Sequence, residues 1–385
     1  MHELIKLGRQ LWDNAESGFF EKNSHEILSK KFKTIGFTVQ SFEGIPGFIA
    51  SIDRDIRSKT IALISDMDAL PVPGDPGNKY IHSCGHHVQM TALYGAALLL
   101  KEKEPELLKQ ISFIAIPAEE YIDFDKRKVL IKNKKIRFMS GKLELISRGV
   151  FDSPQIVIST HSAAFNNKKY ISSVLNMAGF KVMKFSFQGR SSHAGAAPHL
   201  GINAQNAASL FLQACAFLRE SFNEEKHIRI HPILKLDSNQ SVNLIPEHVL
   251  VETYVRAADK DTVDKVVKQL SSAALGCAGS IGAEVDIFID EGYEPFKADL
   301  NLHKLVKETA EYLNIDFIEE EYSSASSDVG NISQKKSTIM LGLPGANGKF
   351  HNPDFRIIDE EAAYVFPSQF LVEYLKRAVA SLSSI

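Results

Sequence analysis

Three apolar runs set the frame of this chain: "TIALISD" (Thr60–Asp66), "QISFIAI" (Gln110–Ile116) and "QIVIST" (Gln155–Thr160). Each is short, rich in β-branched residues and continuous instead of alternating, the pattern of strands buried on both faces. A helical stretch, "MTALYGAALLLKEK" (Met90–Lys103), lies between the first two. Strand and helix in alternation predict an α/β domain with a mostly parallel sheet and helices on both faces. Reactive groups in such sheets gather outside the carboxyl ends of the strands. Asp66, Asp68, Glu119, Glu120 and His161 all stand at that end. Ahead of these runs, Met1–Thr38 keeps helical apolar spacing, and Phe37–Phe42 and Gly47–Ile52 alternate as strands.

From about Met177 the rhythm changes. Phe180–Gly189 reads as strand, Asn203–Glu220 as helix, Val242–Ala257 as strands, "DTVDKVVKQLSSAALGCAG" as helix and "AEVDIFIDEG" as strand. That β-α-β-β-α-β order predicts a ferredoxin-like α+β unit inserted into the first domain. The expected division is 1–176, an inserted 177–290, and 291–385 returning to the first sheet. A length of 385 residues supports two domains, since a single core rarely grows past ~250–300 residues. Between strands, Tyr121–Val150 is rich in Lys, less regular, and reads as an insertion.

With 44% hydrophobic and 24% charged residues, the chain has the composition of a folded protein. A net charge of −3 gives no basic field for nucleic acid or an anionic membrane. The short run "KNKKIR" (Lys132–Arg137) reads as solvated loop. Cys84, Cys215 and Cys277 make no disulfide framework, and Cys215 and Cys277 sit in apolar helical patterns. No secretory leader or apolar span is evident, so the expectation is a reduced, cytoplasmic, soluble protein.

Chemistry concentrates in "HSCGHH" (His82–His87). A thiolate and an imidazole two residues apart, Cys84 and His86, suit a zinc-like divalent ion. Alone, the pair equally reads as a loop thiol beside polar histidines. Glu119 and Glu120 add adjacent carboxylates at the exit of a buried strand. One can ligate a metal while its neighbour serves as general base; alternatively both simply open a surface loop. Asp66 reads either as a neighbour of the metal or as the cap of the following turn. His82 and His303 read as surface or loop histidines.

Across nearly its whole length the chain resembles the aminoacylase and N-acyl-amino-acid amidohydrolase family of metallopeptidases. The resemblance is carried by "ESGFFE", "SDMDALPVP", "HSCGHHVQMTALYGAA", "IPAEE", "SSHAGAAPHLGINA", "VNLIPEHVLVETYVRA", "SSDVGNIS" and "HNPDF", in that order. It implies two divalent metal ions, Zn or Mn, held by Cys84, His86, Glu120, His161 and His351, with the Cys84 thiolate between them. It implies Glu119 as the general base for the attacking water and Asp68 as the acid orienting a ligand. The inserted domain resembles the family's lid and dimerisation domain. There His193 resembles a histidine that stabilises the oxyanion of a partner subunit's site, and Asn243 and Arg256 resemble residues that hold the substrate carboxylate. The implied protein is a homodimeric enzyme cleaving the amide of N-acyl or N-aminoacyl amino acids, including aminobenzoyl-glutamate-like conjugates.

Two positions depart from the family's Cys-Gly-His-Asp-x-His pattern: His87 replaces the acid and Gln89 the second histidine. They support an alternative, a metal-poor relative that binds amino-acid conjugates without turnover. A dipeptidase or carboxypeptidase with the same site is the other alternative.

Overall fold

The structure is a computed structural model and describes residues 1–56, 58–72, 74–75, 79–164, 169–236 and 241–382. Its contacts divide the chain into two compact units: Met1–Leu175 with Lys297–Tyr322 and Asn331–Ile385, and Asn176–Phe296 with Ser323–Gly330.

The first unit is built on the three apolar runs. Ile111–Ile116, Ile61–Asp66, Ile156–Ser162 and Ser337–Leu343 lie side by side in that order, and every pair among these neighbours is parallel. Both faces of these strands are covered, so their side chains are buried almost throughout. Parallel register has one consequence for chemistry: Asp66, Ile116, Ser162 and Leu343 all leave the sheet at the same edge. Phe48–Ser51 and Thr38–Ser41 extend the sheet antiparallel on one side, and Tyr170–Met177 pairs antiparallel with Ser337–Leu343 on the other. The helix His86–Lys103 is buried around its whole circumference over its first three turns, as expected of a helix packed between other elements and not on a surface.

Two expectations need correction here. The helical stretch at the start is two helices, His2–Trp12 and Lys22–Thr34, not one. Between them, Gly18 packs so closely that a Cβ there would sit 2.4 Å from Arg127 Nη2 and 2.8 Å from Ala118 Cα. Tyr121–Val150 is also more regular than its composition suggests. It holds the helices Phe124–Lys132 and Gly141–Ser147, and it buries Arg127 and Lys142 completely. The Lys132–Arg137 cations, by contrast, are exposed as expected.

The second unit has the order strand Gly179–Gln188, helix Ala204–Leu218, strands Arg229–Ile230 and Ile233–Leu236, strand His248–Ala257, helix Lys260–Ile281, strand Glu284–Tyr293. The long strands pair antiparallel, with His248–Ala257 and Glu284–Tyr293 flanking Gly179–Gln188. Met183, Phe185 and Phe187 alternate inward from the central strand and meet Phe211, Val263 and Leu270 of the two helices in a single core. This is the βαββαβ layout of ferredoxin-like folds. Among the described residues, no helix is long and apolar enough to cross a membrane.

Candidate metal centre

The strand ends and the loops after them converge at one edge of the first unit's sheet. Beyond Ile116 the chain runs through Ala118 with a positive φ of 57°. Such a backbone needs support from its surroundings, and its polar groups are met one by one. Ala118 N–H donates to Glu21 Oε1 at 2.7 Å, and Ala118 O accepts from Gly141 N–H at 2.9 Å. Glu120 N–H donates to Asp68 Oδ2 at 2.9 Å, and Glu120 O accepts from Arg127 Nη2 at 2.6 Å. Glu119 and Glu120 are thereby fixed, both nearly buried.

Cys84 and His86 arrive through a tight turn at Gly85, whose φ is +81°. An added Cβ there would lie 2.0 Å from Ser162 Oγ. Gly85→Ala is therefore expected to lower stability by about 2 kcal/mol or more, from the left-handed backbone and the clash together; denaturant unfolding of the variant checks this.

Two of the histidines, His86 and His161, are aimed by the bonds their Nδ1 atoms make. His86 Nδ1 donates to Asp68 O at 2.8 Å and lies 3.1 Å from Asp68 Oδ1. His161 Nδ1 donates to Ser162 O at 2.7 Å. With Nδ1 carrying the proton, each Nε2 keeps its lone pair for another partner, the arrangement typical of imidazoles at metal sites. His161 Nε2 lies 3.2 Å from Cys84 Sγ, and His351 Nε2 lies 3.4 Å from it. His351 Nε2 is also 3.6 Å from Glu120 Oε1. His86 Nε2 stands 4.0 Å from both Glu119 Oε2 and Glu120 Oε1.

Three donor sets result, each with its atoms within 4.8 Å of one another: Cys84, His86 and His161; Cys84, Glu120 and His351; His86, Glu119 and Glu120. The sets share Cys84, His86 and Glu120, which is what two adjacent cations bridged by common donors require. Whether the residues fit such ions can be judged from their buried polar atoms. His86 Nε2 and Glu120 Oε1 are buried and make no hydrogen bond. Unsatisfied buried polar atoms are costly, and a cation at their focus satisfies both. Electrostatics agree. Without a cation, burial and then the neighbouring Glu119 push Glu120 up to about 8. Burial and then Glu120 push the Cys84 thiol well above its usual value, while burial and the charge on His86 bring His161 down to about 4. A divalent ion inverts the first two effects, holding thiolate and carboxylate ionised. His161 is already in the neutral ligand form, whereas for His86 burial is outweighed by Asp68 and Cys84, which raise it well above its usual value, so a cation there would displace a proton from His86 Nε2. The donors fit a divalent pair.

The two departures from the Cys-Gly-His-Asp-x-His pattern stand outside this cluster. His87 packs its ring against Trp12 at 4.9 Å and Tyr364 at 5.8 Å. Gln89 Oε1 accepts the Asp66 N–H at 3.0 Å. Neither removes a donor, so the metal-poor alternative loses its sequence support. Asp66 forms an ion pair with Lys142 Nζ at 2.5 Å. His82 and His303, expected at the surface, are buried. The His82 ring packs at a tilt 5.3 Å from His87, and burial drives it down to about 3. His303 joins Ser173 Oγ at 2.7 Å to Glu319 Oε2 at 2.6 Å.

His193, Asn243 and Arg256 belong to the second unit. His193 is exposed, and its Nδ1 accepts from Gly195 N–H at 3.1 Å and Ala196 N–H at 3.0 Å. The strip bearing Asn243 runs beside it, with Ala194 N–H donating to Asn243 O at 2.8 Å. Arg256 Nη1 donates to Ser324 O at 2.7 Å, and its guanidinium lies 5.7 Å from the rings of Phe180 and Tyr254. Sequence reasoning missed Glu21, Arg127 and Lys142. Their only trace is an acid or base in a polar stretch, which does not distinguish a buried partner from a solvated one.

The sequence profile of peptidase family M20/M25/M40 matches residues 62–377. The chain belongs to this family. It is 26% identical over 391 residues to an N-acetyl-L-cysteine deacetylase of Bacillus subtilis, covering 98% of this chain and 89% of that protein. One of the subunits of the p-aminobenzoyl-glutamate hydrolase of Escherichia coli is 26% identical over 361 residues, covering 88% and 69% respectively. The fold resembles that of a dinuclear metal-binding M20 peptidase from Bacillus subtilis, with a TM-score of 0.77 at 20% identity, covering 98% of each chain.

Proposed function

We propose that this chain is a metal-dependent amidohydrolase that cleaves the amide bond of N-acyl or N-aminoacyl amino acids, aminobenzoyl-glutamate-like conjugates among them. The observation that carries the reading is the focus of Cys84, His86, Glu120, His161 and His351 on two buried, unbonded atoms, with Glu119 beside them. Two divalent ions held by those five residues, zinc or manganese, supply a polarised amide carbonyl and an acidified water. Glu119 accepts the proton of the attacking water on its carboxylate and returns it to the leaving amine nitrogen. Asp68 holds the His86 ring in the tautomer that keeps Nε2 unprotonated. Arg256 and Asn243 bind the substrate carboxylate; a guanidinium does this in bidentate fashion where an ammonium does not. His193 stabilises the developing oxyanion from the partner subunit of a homodimer, a contact of the kind worth ~3–4 kcal/mol. The enzyme works in the cytoplasm.

A panel of N-acetyl amino acids, aminobenzoyl-glutamate and dipeptides, offered to zinc- or manganese-loaded protein, tests the reading. Turnover is expected for at least one class. The same substrate with its terminal carboxylate converted to an amide should lose about 10- to 100-fold in kcat/KM, the worth of hydrogen bonds to one charged group. Metal-loaded protein inert toward the whole panel refutes the assignment.

A further inference from the structure

The Gly141–Ser147 helix abuts the strand exit that carries Glu119 and Glu120. The approach is so close that a Cβ on Gly141 would fall 1.6 Å from Pro117 O, and Gly141 N–H bonds Ala118 O. Ser140 caps the helix by accepting the Leu143 N–H. Lys142, the residue after Gly141, is thereby held beside this edge of the sheet. Its side chain is 0% exposed, and its ammonium sits 2.5 Å from Asp66 Oδ1, itself 4% exposed. Asp66 ends the strand Ile61–Asp66, two residues before Asp68, the carboxylate that orients His86 and caps Glu120 N–H.

We propose that Lys142 is a positioning residue of the hydrolytic site: its ammonium anchors Asp66 at the end of the Ile61–Asp66 strand, two residues before Asp68. The inference rests on the amidohydrolase reading above and adds a member to that site.

Two arguments support it. The first is charge. Asp66, Asp68, Glu119, Glu120 and Glu21 are all buried within this edge of the sheet. Burial lifts the Asp66 carboxyl; Lys142 and then His86 pull it back, while Glu119 pushes it up. Lys142, Asp66, His86 and Glu119 thus lie within electrostatic reach of one another. The second is energetic. Burying an ammonium costs several kcal/mol, and replacing a buried ion pair with apolar side chains is often neutral or stabilising. Fold stability alone gives no reason to keep Lys142 here, whereas Asp68, two residues beyond the Asp66 it holds, is bonded to His86, and groups bonded to metal ligands typically matter 10- to 100-fold for metal affinity or activity.

The test compares wild type with Lys142→Met, Lys142→Arg and the double variant Asp66→Asn/Lys142→Met. Circular dichroism and thermal melts establish folding. Cobalt(II) is titrated into metal-free protein, and the thiolate-to-cobalt absorption of Cys84 is read independently of turnover. Lys142→Met is expected to bind cobalt 10- to 100-fold more weakly and to lose kcat by a similar factor with KM within threefold. Lys142→Arg should recover part of both. The double variant, free of a lone buried charge, should fold at least as well as wild type and remain impaired, and it carries the test if Lys142→Met does not fold. Wild-type cobalt affinity and kcat in either Met-bearing variant overturn the proposal alone. A wild-type protein with no cobalt absorption overturns the amidohydrolase reading and this inference with it.

Discussion

Replacing Glu119 with Gln is expected to lower kcat about a thousandfold while leaving bound metal unchanged. The amide keeps the shape of the side chain but cannot accept the proton of the attacking water. A positioned general base contributes about 10²- to 10⁴-fold. Glu119 differs in this from its neighbour: Glu120 Oε1 closes on His351 at 3.6 Å and belongs to two donor sets, Glu119 to one. Glu120→Gln should therefore lose metal as well as rate. Steady-state kinetics with metal content by mass spectrometry separate the two variants. A Glu119→Gln enzyme within tenfold of wild-type kcat would require another base.

The second large effect concerns the metal pair itself. Ions that bind only the folded state stabilise it by about 2.7 kcal/mol at a hundredfold excess over Kd. With two such ions, chelation should lower the melting transition of the first unit by about 10–20 °C and abolish turnover. Cys84→Ala should remove most of this metal-dependent shift, because Cys84 Sγ lies within 3.2 Å and 3.4 Å of two imidazoles and is common to two donor sets. Differential scanning calorimetry with and without chelator reads the shift directly. A melting curve indifferent to zinc and manganese would exclude a structural metal pair.

The residues that chemistry demands at a metal site are visible in the sequence as types: a thiol, imidazoles, and carboxylates at strand exits. What composition hides is the work of residues around them. In Tyr121–Val150 a high lysine content reads as solvated surface, because most of its cations are indeed exposed. Arg127 and Lys142 are the fully buried exceptions, and nothing in their immediate neighbours marks them. Arg127 bonds Met139 O and Glu120 O, residues 12 and 7 positions away, and Lys142 reaches Asp66, 76 positions away. His303 misleads in the same manner, since its partners Ser173 and Glu319 come from separate strands. At the start of the chain, apolar positions at helical spacing on either side, Leu4, Leu7 and Leu11 and then Ile27, Leu28 and Phe32, read as one helix; the structure ends the first helix at Trp12 and starts the second at Lys22, and Gly18 between them stands where a Cβ would meet Arg127 and Ala118.

By itself the sequence determined the buried central strands and the βαββαβ succession after Met177, because apolar runs, periodicity and turn chemistry are local properties; the strands Tyr170–Met177 and Asp316–Ser323 and the order of strands in the sheet came only with the fold. It also determined which donors were on offer. The tertiary structure alone decided that those donors meet. Parallel strands deliver their carboxyl ends to one edge, and that geometry joins Cys84 to His351 across 267 positions of chain. It also decided which charges are buried, since the cost of burying a charge depends on what surrounds it in space and not on what adjoins it in sequence.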